Sequence, residues 1–267
     1  MNFSLQGHNV FASTGGKPFD PSLPLLLFVH GAGMNHSVWQ QQTRYFAHHG
    51  YSVLAIDLPG HGDSAGDPID NIEEQAVWIA DVIGSFGASN AKLVGHSMGA
   101  LAALETASRY PDKVSGLALL GVAAKMPVHP NLLDAAVTND HKAIDLIADW
   151  GHGARAHGGG NIASGIWLLQ NCKRLLERAR PGVLANDLAA ADAYKTALNA
   201  ASAVQCYTLC LLAAQDKMTP LKAAQPLVLA LSDVNEVVLP DSGHMMMLET
   251  PGETLDALIE FLGKRES

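Results

Sequence analysis

A serine, a histidine and an aspartate of this sequence could carry out nucleophilic chemistry together. Ser97 lies in the pentapeptide Gly95-His96-Ser97-Met98-Gly99, directly after the apolar run Lys92 to Val94. A helical pattern follows, so the pentapeptide predicts a sharp strand-to-helix turn with the serine at its apex. A GxSxG pentapeptide can also arise by chance in a chain with 25 glycines. The flanking strand and helix favour the catalytic interpretation.

The base for such a serine should be a histidine, because the imidazole pKa lies near neutral. His244 is the best placed of the twelve histidines. It follows the strand-like run Glu236 to Leu239 after a short turn, and it comes later in the chain than Ser97. We therefore expect His244 to take the proton of the serine hydroxyl.

The acid that orients this base is expected at the end of a strand between the serine and the histidine. Asp216 meets that condition, since it follows the apolar run Tyr207 to Leu212. Such an aspartate can also be a plain helix cap. Asp233 precedes its strand, and Asp241 is too close in sequence to His244 to approach it from behind. Asp216 is the acid that we predict.

Two backbone N–H groups are candidates for holding a developing oxyanion. The buried run Leu25 to Val29 ends in His30-Gly31-Ala32-Gly33, which predicts a donor at the Ala32 N–H. The Met98 N–H, at the start of the helix after the serine, is the second candidate. His157-Gly158-Gly159-Gly160 looks similar but follows no apolar strand, so we interpret it as a loop.

Large apolar side chains near these motifs could line an acyl pocket: Met34, Trp39, Trp150, Trp167 and Met245. At these spacings a methionine or tryptophan is more often plain core, so the two interpretations stay open. The histidines and aspartates between residues 140 and 157 match no zinc spacing, and we predict neither a metal nor a cofactor.

The elements that must position these residues alternate between short apolar runs and helical segments. This alternation predicts an α/β fold, with a mostly parallel, doubly wound sheet buried by helices on both faces. The first twenty residues predict an antiparallel edge hairpin. The six further predicted strands are Leu25 to Val29, Ser52 to Ile56, Lys92 to Val94, Gly116 to Leu120, Tyr207 to Leu212 and Glu236 to Leu239, and the main helices are Val38 to His49, Ile72 to Phe86 and Glu253 to Leu262.

One connection is several times longer than an ordinary crossover. We predict that residues 122–205 form an inserted helical cap, and that residues 1–121 and 206–267 form the core. The helical spacing inside the insertion covers Ala143 to Trp150, Ile166 to Arg178 and Asp192 to Val204.

Composition excludes some classes of partner. The net charge of −9 argues against a nucleic-acid partner, because phosphate binding relies on clustered cations. No apolar segment has the roughly 20 residues that cross a bilayer, and three cysteines suggest no disulfide framework. We expect a soluble cytoplasmic protein that acts on a small-molecule acyl substrate; composition does not set its oligomeric state.

With these motifs in place, the chain resembles the α/β-hydrolase superfamily over essentially its whole length. The resemblance extends to Asp57-Leu58-Pro59-Gly60-His61-Gly62-Asp63-Ser64, and to the histidine loop that runs from Ser242 to Pro251. It implies a cap-covered pocket above the carboxyl ends of the strands. Serine at position 97, rather than aspartate, makes haloalkane dehalogenases and epoxide hydrolases poor matches.

The expected reaction is acyl transfer to water through an acyl-enzyme, on an ester with a small or medium apolar acyl group. The superfamily also includes thioesterases, amidases, carbon–carbon bond hydrolases and cofactor-free perhydrolases, and the sequence does not separate them. A non-catalytic ligand receptor is a further alternative, although a receptor has no need for Ser97, Asp216 and His244 together.

Overall fold

A computed structural model describes residues 1–161 and 165–263 of the chain. Within this part, eight strands form one sheet in the order β1-β2-β4-β3-β5-β6-β7-β8. The strands are β1 Asn2–Leu5, β2 His8–Ser13, β3 Leu25–Val29, β4 Ser52–Ile56, β5 Ala91–His96, β6 Val114–Leu120, β7 Thr208–Ala213 and β8 Val234–Leu239.

The sheet is parallel from β4 across to β8, and β1 and β2 pair antiparallel at one edge. The predicted fold class and the edge hairpin are therefore confirmed. All residues of β3, β4 and β7 are buried. Strands covered by helices on both faces lose the alternation of polar and apolar residues, which is why they were visible as continuous apolar runs.

In the described part of the chain, six α-helices outside the insertion complete the core: α1 Gln40–Ala47, α2 Ile72–Ser85, α3 Met98–Arg109, α10 Leu221–Ala230, α11 Met246–Glu249 and α12 Pro251–Gly263. The predicted helix from Val38 to His49 begins as a 3₁₀ turn, His36–Trp39, and continues as α1. Asn71 caps α2, because its side chain accepts the N–H of Glu74. No helix in the described ranges is both long and apolar enough to cross a membrane.

The register of the sheet places the predicted motifs side by side. Val29, the last residue of β3, pairs with Gly95 of β5, and His96 pairs with Leu120 of β6. The loops after β3, β5 and β6 therefore leave the same edge of the sheet at adjacent positions. This edge is where open parallel sheets bind their ligands.

The described residues of the insertion between β6 and β7 form six α-helices: α4 Pro130–Val137, α5 Lys142–Trp150, α6 Ala154–His157, α7 Leu168–Leu176, α8 Val183–Ala193 and α9 Ala197–Ala203. They lie in the part of the chain assigned to the predicted cap. The limits of that cap, and of the core around it, stay a prediction, and residues 162–164 and 264–267 lie outside the described residues.

The prediction of one helix from Asp192 to Val204 is wrong. Helix α8 ends at Ala193, and Tyr194 is extended, with φ −71° and ψ 115°. Its buried hydroxyl donates a hydrogen bond to the carboxylate of Glu105 in α3. Because this contact and the packing of α9 on α3 require a change of direction, tertiary structure overrides the continuous helical spacing.

The contact between Tyr194 and Glu105 yields a prediction about stability. Tyr194→Phe removes one of the two donors to a buried carboxylate, the other being the Nε of Arg109. We expect the free energy of unfolding to fall by about 1–3 kcal/mol in urea denaturation. Activity per folded molecule should stay within about twofold. Tyr45→Phe, at a half-buried position, is the control and should change stability by under about 0.5 kcal/mol. Equal effects of both variants would contradict the prediction.

Candidate active site

Ser97 lies on the turn between β5 and α3 in a conformation that non-glycine residues rarely adopt, with φ 56° and ψ −119°. The backbones around it are in close contact. A Cβ atom on Gly95 would lie 2.4 Å from the Gly99 carbonyl oxygen, and one on Gly99 would lie 2.3 Å from the His30 carbonyl oxygen. Only glycine fits these two positions, so the pentapeptide holds the serine at the apex of a tight bend.

His244 and Asp216 form a buried pair. The Nδ1 of His244 lies 2.8 Å from the Oδ2 of Asp216, so Nδ1 donates its proton to the carboxylate. The Nε2 of His244 is buried and has no hydrogen-bond partner in the described part of the chain. His244 and Ser97 line the same cavity. The structure thus brings the three residues predicted from the sequence together: Asp216 contacts one ring nitrogen of His244, and Ser97 lines the same cavity as His244.

The surroundings of Asp216 keep its carboxyl group ionised. Its Oδ1 accepts the N–H groups of Met218 and Thr219, each at 2.8 Å, and its Oδ2 accepts the Thr219 hydroxyl at 2.6 Å. Burial alone would raise the pKa of Asp216, but the His244 imidazole and the Thr219 hydrogen bonds hold this pKa well below its usual range. Thr219 was not predicted from the sequence, although a polar residue three positions after an aspartate in a turn is a usual cap partner.

Two further groups fix the position of His244. The Nε2–H of His96, next to the serine, donates to the His244 carbonyl oxygen at 2.9 Å. Gly121, with φ 58°, lies directly against the imidazole, where a Cβ atom would be 3.0 Å from the His244 Nδ1. Burial and the neighbouring His244 lower the pKa of His96 to about 3, so its ring is neutral.

The loop after β3 lies beside Ser97, and Ala32 lines the cavity together with Met98. His30 holds this loop in place: its Nδ1–H donates to the Gly31 carbonyl oxygen at 2.9 Å, and its Nε2 accepts the Leu58 N–H at 3.1 Å. Met98 is the first residue of α3, where backbone N–H groups have no partner within the helix. Both predicted oxyanion donors therefore belong to residues at the cavity wall.

The cavity has a volume of about 380 Å³ and lies between the core and the insertion. Among the predicted pocket residues, Met34 and Trp150 line it. The other three predicted pocket residues, Trp39, Met245 and Trp167, do not line the cavity. Trp39 is fully buried in the core against Phe28, Met245 is also fully buried, and Trp167 is 61% exposed. Residue type alone gave no indication of which way these side chains face.

The described part of the chain adds ten lining residues that the sequence analysis missed: Met126, Pro127, Val128, His129, Leu132, Ile147, Leu188, Ala191, Lys217 and Met218. Several belong to α4 and α8, helices that were not predicted at these positions. Two candidates that were rejected on sequence grounds, the glycine-rich stretch after His157 and the acid Asp241, lie outside this cavity lining. His157 ends α6, outside this lining, and the Asp241 side chain is 63% exposed and 3.4 Å from Arg155.

Comparison with known proteins gives the same class as the fold and the site. The profile of the alpha/beta hydrolase family matches residues 26–257. This chain belongs to that family. The enol-lactonase of Burkholderia xenovorans has the same fold, with a TM-score of 0.88, 19% identity and coverage of 99% of this chain and 100% of that one. A thermophilic esterase superposes with a TM-score of 0.80 at 25% identity, covering 99% of this chain and 97% of the other.

Curated relatives match shorter segments. The (E)-2-((N-methylformamido)methylene)succinate hydrolase of Acinetobacter baylyi is 34% identical over 96 residues, 36% of each chain. The 2-succinyl-6-hydroxy-2,4-cyclohexadiene-1-carboxylate synthase of Escherichia coli is 34% identical over 125 residues, 47% of this chain and 46% of that one. The pimeloyl-acyl-carrier-protein methyl ester esterase of Vibrio cholerae is 38% identical over 100 residues, 38% and 37% of the two chains. The chain thus spans about a third to a half of the length of these relatives.

The contact between Asp216 and His244 yields a prediction about catalysis. Asp216→Asn places an amide against the Nδ1 of His244 and removes the charge that stabilises an imidazolium. We expect kcat for hydrolysis of a good substrate to fall by about 10⁴-fold, with KM little changed. Initial rates across substrate concentration measure both constants.

Asp241→Asn is the matched control, because Asp241 is close to His244 in sequence but has an exposed side chain. Its kcat should stay within about twofold of the wild type. A similar loss in both variants would show that Asp216 has no special role.

Proposed function

We propose that this protein is a serine hydrolase that cleaves esters with a small or medium apolar acyl group. One observation carries the proposal: Ser97, on its strained bend, and His244, paired with a buried carboxylate, line one apolar cavity. A serine hydroxyl is a weak nucleophile by itself, and an adjacent base held in the right tautomer is what activates it.

In the proposed mechanism, the Nε2 of His244 takes the proton of the Ser97 hydroxyl as the Oγ attacks the ester carbonyl carbon. The N–H groups of Ala32 and Met98 hold the oxyanion. Collapse of the tetrahedral intermediate expels the alcohol, which takes the proton from Nε2 and leaves an acyl-enzyme. Water, deprotonated by the same nitrogen, then releases the acid and restores the serine. Asp216 stays ionised throughout and stabilises the imidazolium in each half-reaction.

The cavity supports an apolar acyl group of modest size. Its volume of about 380 Å³ is near the lower end of the range for ligand pockets. Methionine, leucine, isoleucine, valine and tryptophan dominate its lining. Among the described lining residues Lys217, which is exposed, is the one lysine, and none is an arginine. A substrate that carries several carboxylates would find few partners in this cavity.

The names of the relatives favour hydrolysis of an ester without deciding it. One matched relative is a methyl ester esterase, and another is a synthase of a cyclohexadiene carboxylate. Thioester, amide and carbon–carbon bond hydrolysis, and perhydrolysis, use the same three residues. A panel of p-nitrophenyl esters of increasing chain length, thioesters and anilides separates these reactions, and we expect the short and medium esters to be hydrolysed fastest.

Ser97→Ala tests the proposal directly. We expect kcat to fall by about 10⁶-fold, and we expect a fluorophosphonate to label the wild type but not the variant, as read by intact mass. Ser202→Ala, at an exposed position on α9, should leave both readouts unchanged. Wild-type activity in purified Ser97→Ala would refute the proposed nucleophile. A wild-type protein that neither labels nor turns over any member of the panel would favour the ligand receptor.

Substitution at Trp150 tests whether the cavity sets the acyl length. Trp150→Ala enlarges the apolar lining, so we expect the preferred acyl chain to become longer. Each further methylene that is buried should raise kcat/KM about fourfold, from about 0.8 kcal/mol per methylene. Trp167→Ala is the control, because Trp167 is 61% exposed and should not change the preference. Equal profiles for the wild type and Trp150→Ala would contradict the assignment of the acyl site.

A further inference from the structure

Asp187, in helix α8 of the insertion, is fully buried and reaches down to the core. Its Oδ2 accepts two hydrogen bonds, one from the Gly33 N–H at 2.8 Å and one from the Nε2–H of His61 at 2.7 Å. Gly33 directly follows Ala32, the proposed oxyanion donor. A carboxylate of the insertion therefore holds the loop that contains the proposed oxyanion donor, Ala32.

The ring of His61 is charged in this arrangement. Its Nδ1 lies 2.9 Å from the Pro59 carbonyl oxygen and its Nε2 faces the Asp187 carboxylate, so both nitrogens meet acceptors and both must donate. Burial opposes this charge, but Asp187 raises the pKa of His61 above its usual value. His30, 4.9 Å away between ring centres, has its pKa lowered to about 4 by burial and by His61, and is neutral. The carboxylate of Asp57 also favours the charged form of His61.

This ion pair fixes the peptide between Ala32 and Gly33. The Gly33 N–H points at a charged acceptor that is itself held by His61, and charge-assisted hydrogen bonds of this kind are short and directional. The orientation of one peptide group constrains its neighbours along the loop, including the Ala32 N–H. Oxyanion donors contribute to catalysis only when they are aimed at the position that the oxyanion takes.

We propose that Asp187 is a positioning residue for the loop of residues 30–33, called the oxyanion loop. The packing of α8 against the core then completes the site around Ser97. This inference rests on the proposed function, and it assigns the insertion a part in catalysis beyond covering the substrate. Asp187 touches neither substrate nor reacting atoms; it acts through the Gly33 N–H.

Arg180 provides a matched control from the same connection. Its Nε donates to the Gly60 carbonyl oxygen at 2.9 Å and its guanidinium also donates to the Gly66 carbonyl oxygen at 2.8 Å. It therefore ties the insertion to the core loop that contains His61, yet it makes no hydrogen bond to Gly33. If Asp187 only joined the insertion to the core, as Arg180 does, replacing either residue should change kcat by a similar factor.

The experiment compares Asp187→Ala, Asp187→Asn and Arg180→Met in the full-length protein with a p-nitrophenyl ester. We expect Asp187→Ala to lower kcat by about 10- to 100-fold with KM within about threefold, since one oxyanion donor is worth about 10²–10³ in kcat. Affinity for a trifluoromethyl ketone, which forms a tetrahedral adduct with the serine, should fall in parallel with kcat/KM. Asp187→Asn keeps an oxygen acceptor for Gly33 and should recover at least tenfold in kcat. Arg180→Met should lower thermal stability and leave kcat within about twofold.

Equal kcat losses in Asp187→Ala and Arg180→Met, or no rescue by asparagine, would overturn the inference. Asp187→Leu keeps a branched side chain without an acceptor and leaves no cavity, so it keeps the test open if the alanine variant fails to fold. Ser97→Ala separates the two proposals. If that variant stays active, the proposed function fails; if it is inactive while Asp187→Ala keeps wild-type kcat, only the positioning role fails.

Discussion

The backbone crowding around Ser97 is the constraint on which the site depends. The turn between β5 and α3 forms only because Gly95 and Gly99 let three backbone segments approach within contact distance. The Ser97 N–H then donates to the Leu120 carbonyl oxygen at 2.9 Å, which fixes the turn to the end of β6. A serine on this bend cannot relax toward an ordinary conformation, because the buried parallel sheet beneath it holds the backbone in place.

Two buried carboxylates connect the insertion to loops of the site. Asp187 holds the oxyanion loop through Gly33. Glu249 accepts the N–H of Gly153, in the insertion, at 2.8 Å and the N–H of Gly243, next to the catalytic histidine proposed here, at 3.0 Å. Burial raises the pKa of Glu249, and the hydrogen bonds from the Gly153 and Gly243 N–H groups counter part of this rise. The insertion is thus anchored at the two loops that must be aligned with the serine.

The sequence predicts most of the sheet and the three central site residues because each has a local signal. Buried parallel strands are continuous apolar runs, and the chain order of serine, acid and histidine leaves few candidates. Trp39 and Trp167 had no such signal, since a tryptophan in a mixed segment can face the core, the cavity or solvent. Asp187 is 154 residues from Gly33, and no local pattern marks that contact. The break at Tyr194 likewise depends on Glu105, far away in the chain.

The protonation states of the buried histidines fit the chemistry proposed for the site. His30 pairs one nitrogen with a carbonyl and the other with an N–H, and His96, whose ring centre lies 4.7 Å from that of His244, donates from one nitrogen only, so both rings are neutral. Neutral neighbours add no charge repulsion when His244 becomes an imidazolium. The charged ring of His61 lies instead against Asp187, where its charge is compensated. Positive charge on His244 can therefore develop against the Asp216 carboxylate in contact with it, with the Glu249 carboxylate nearby, while the oxyanion loop is held by a pair with no net charge.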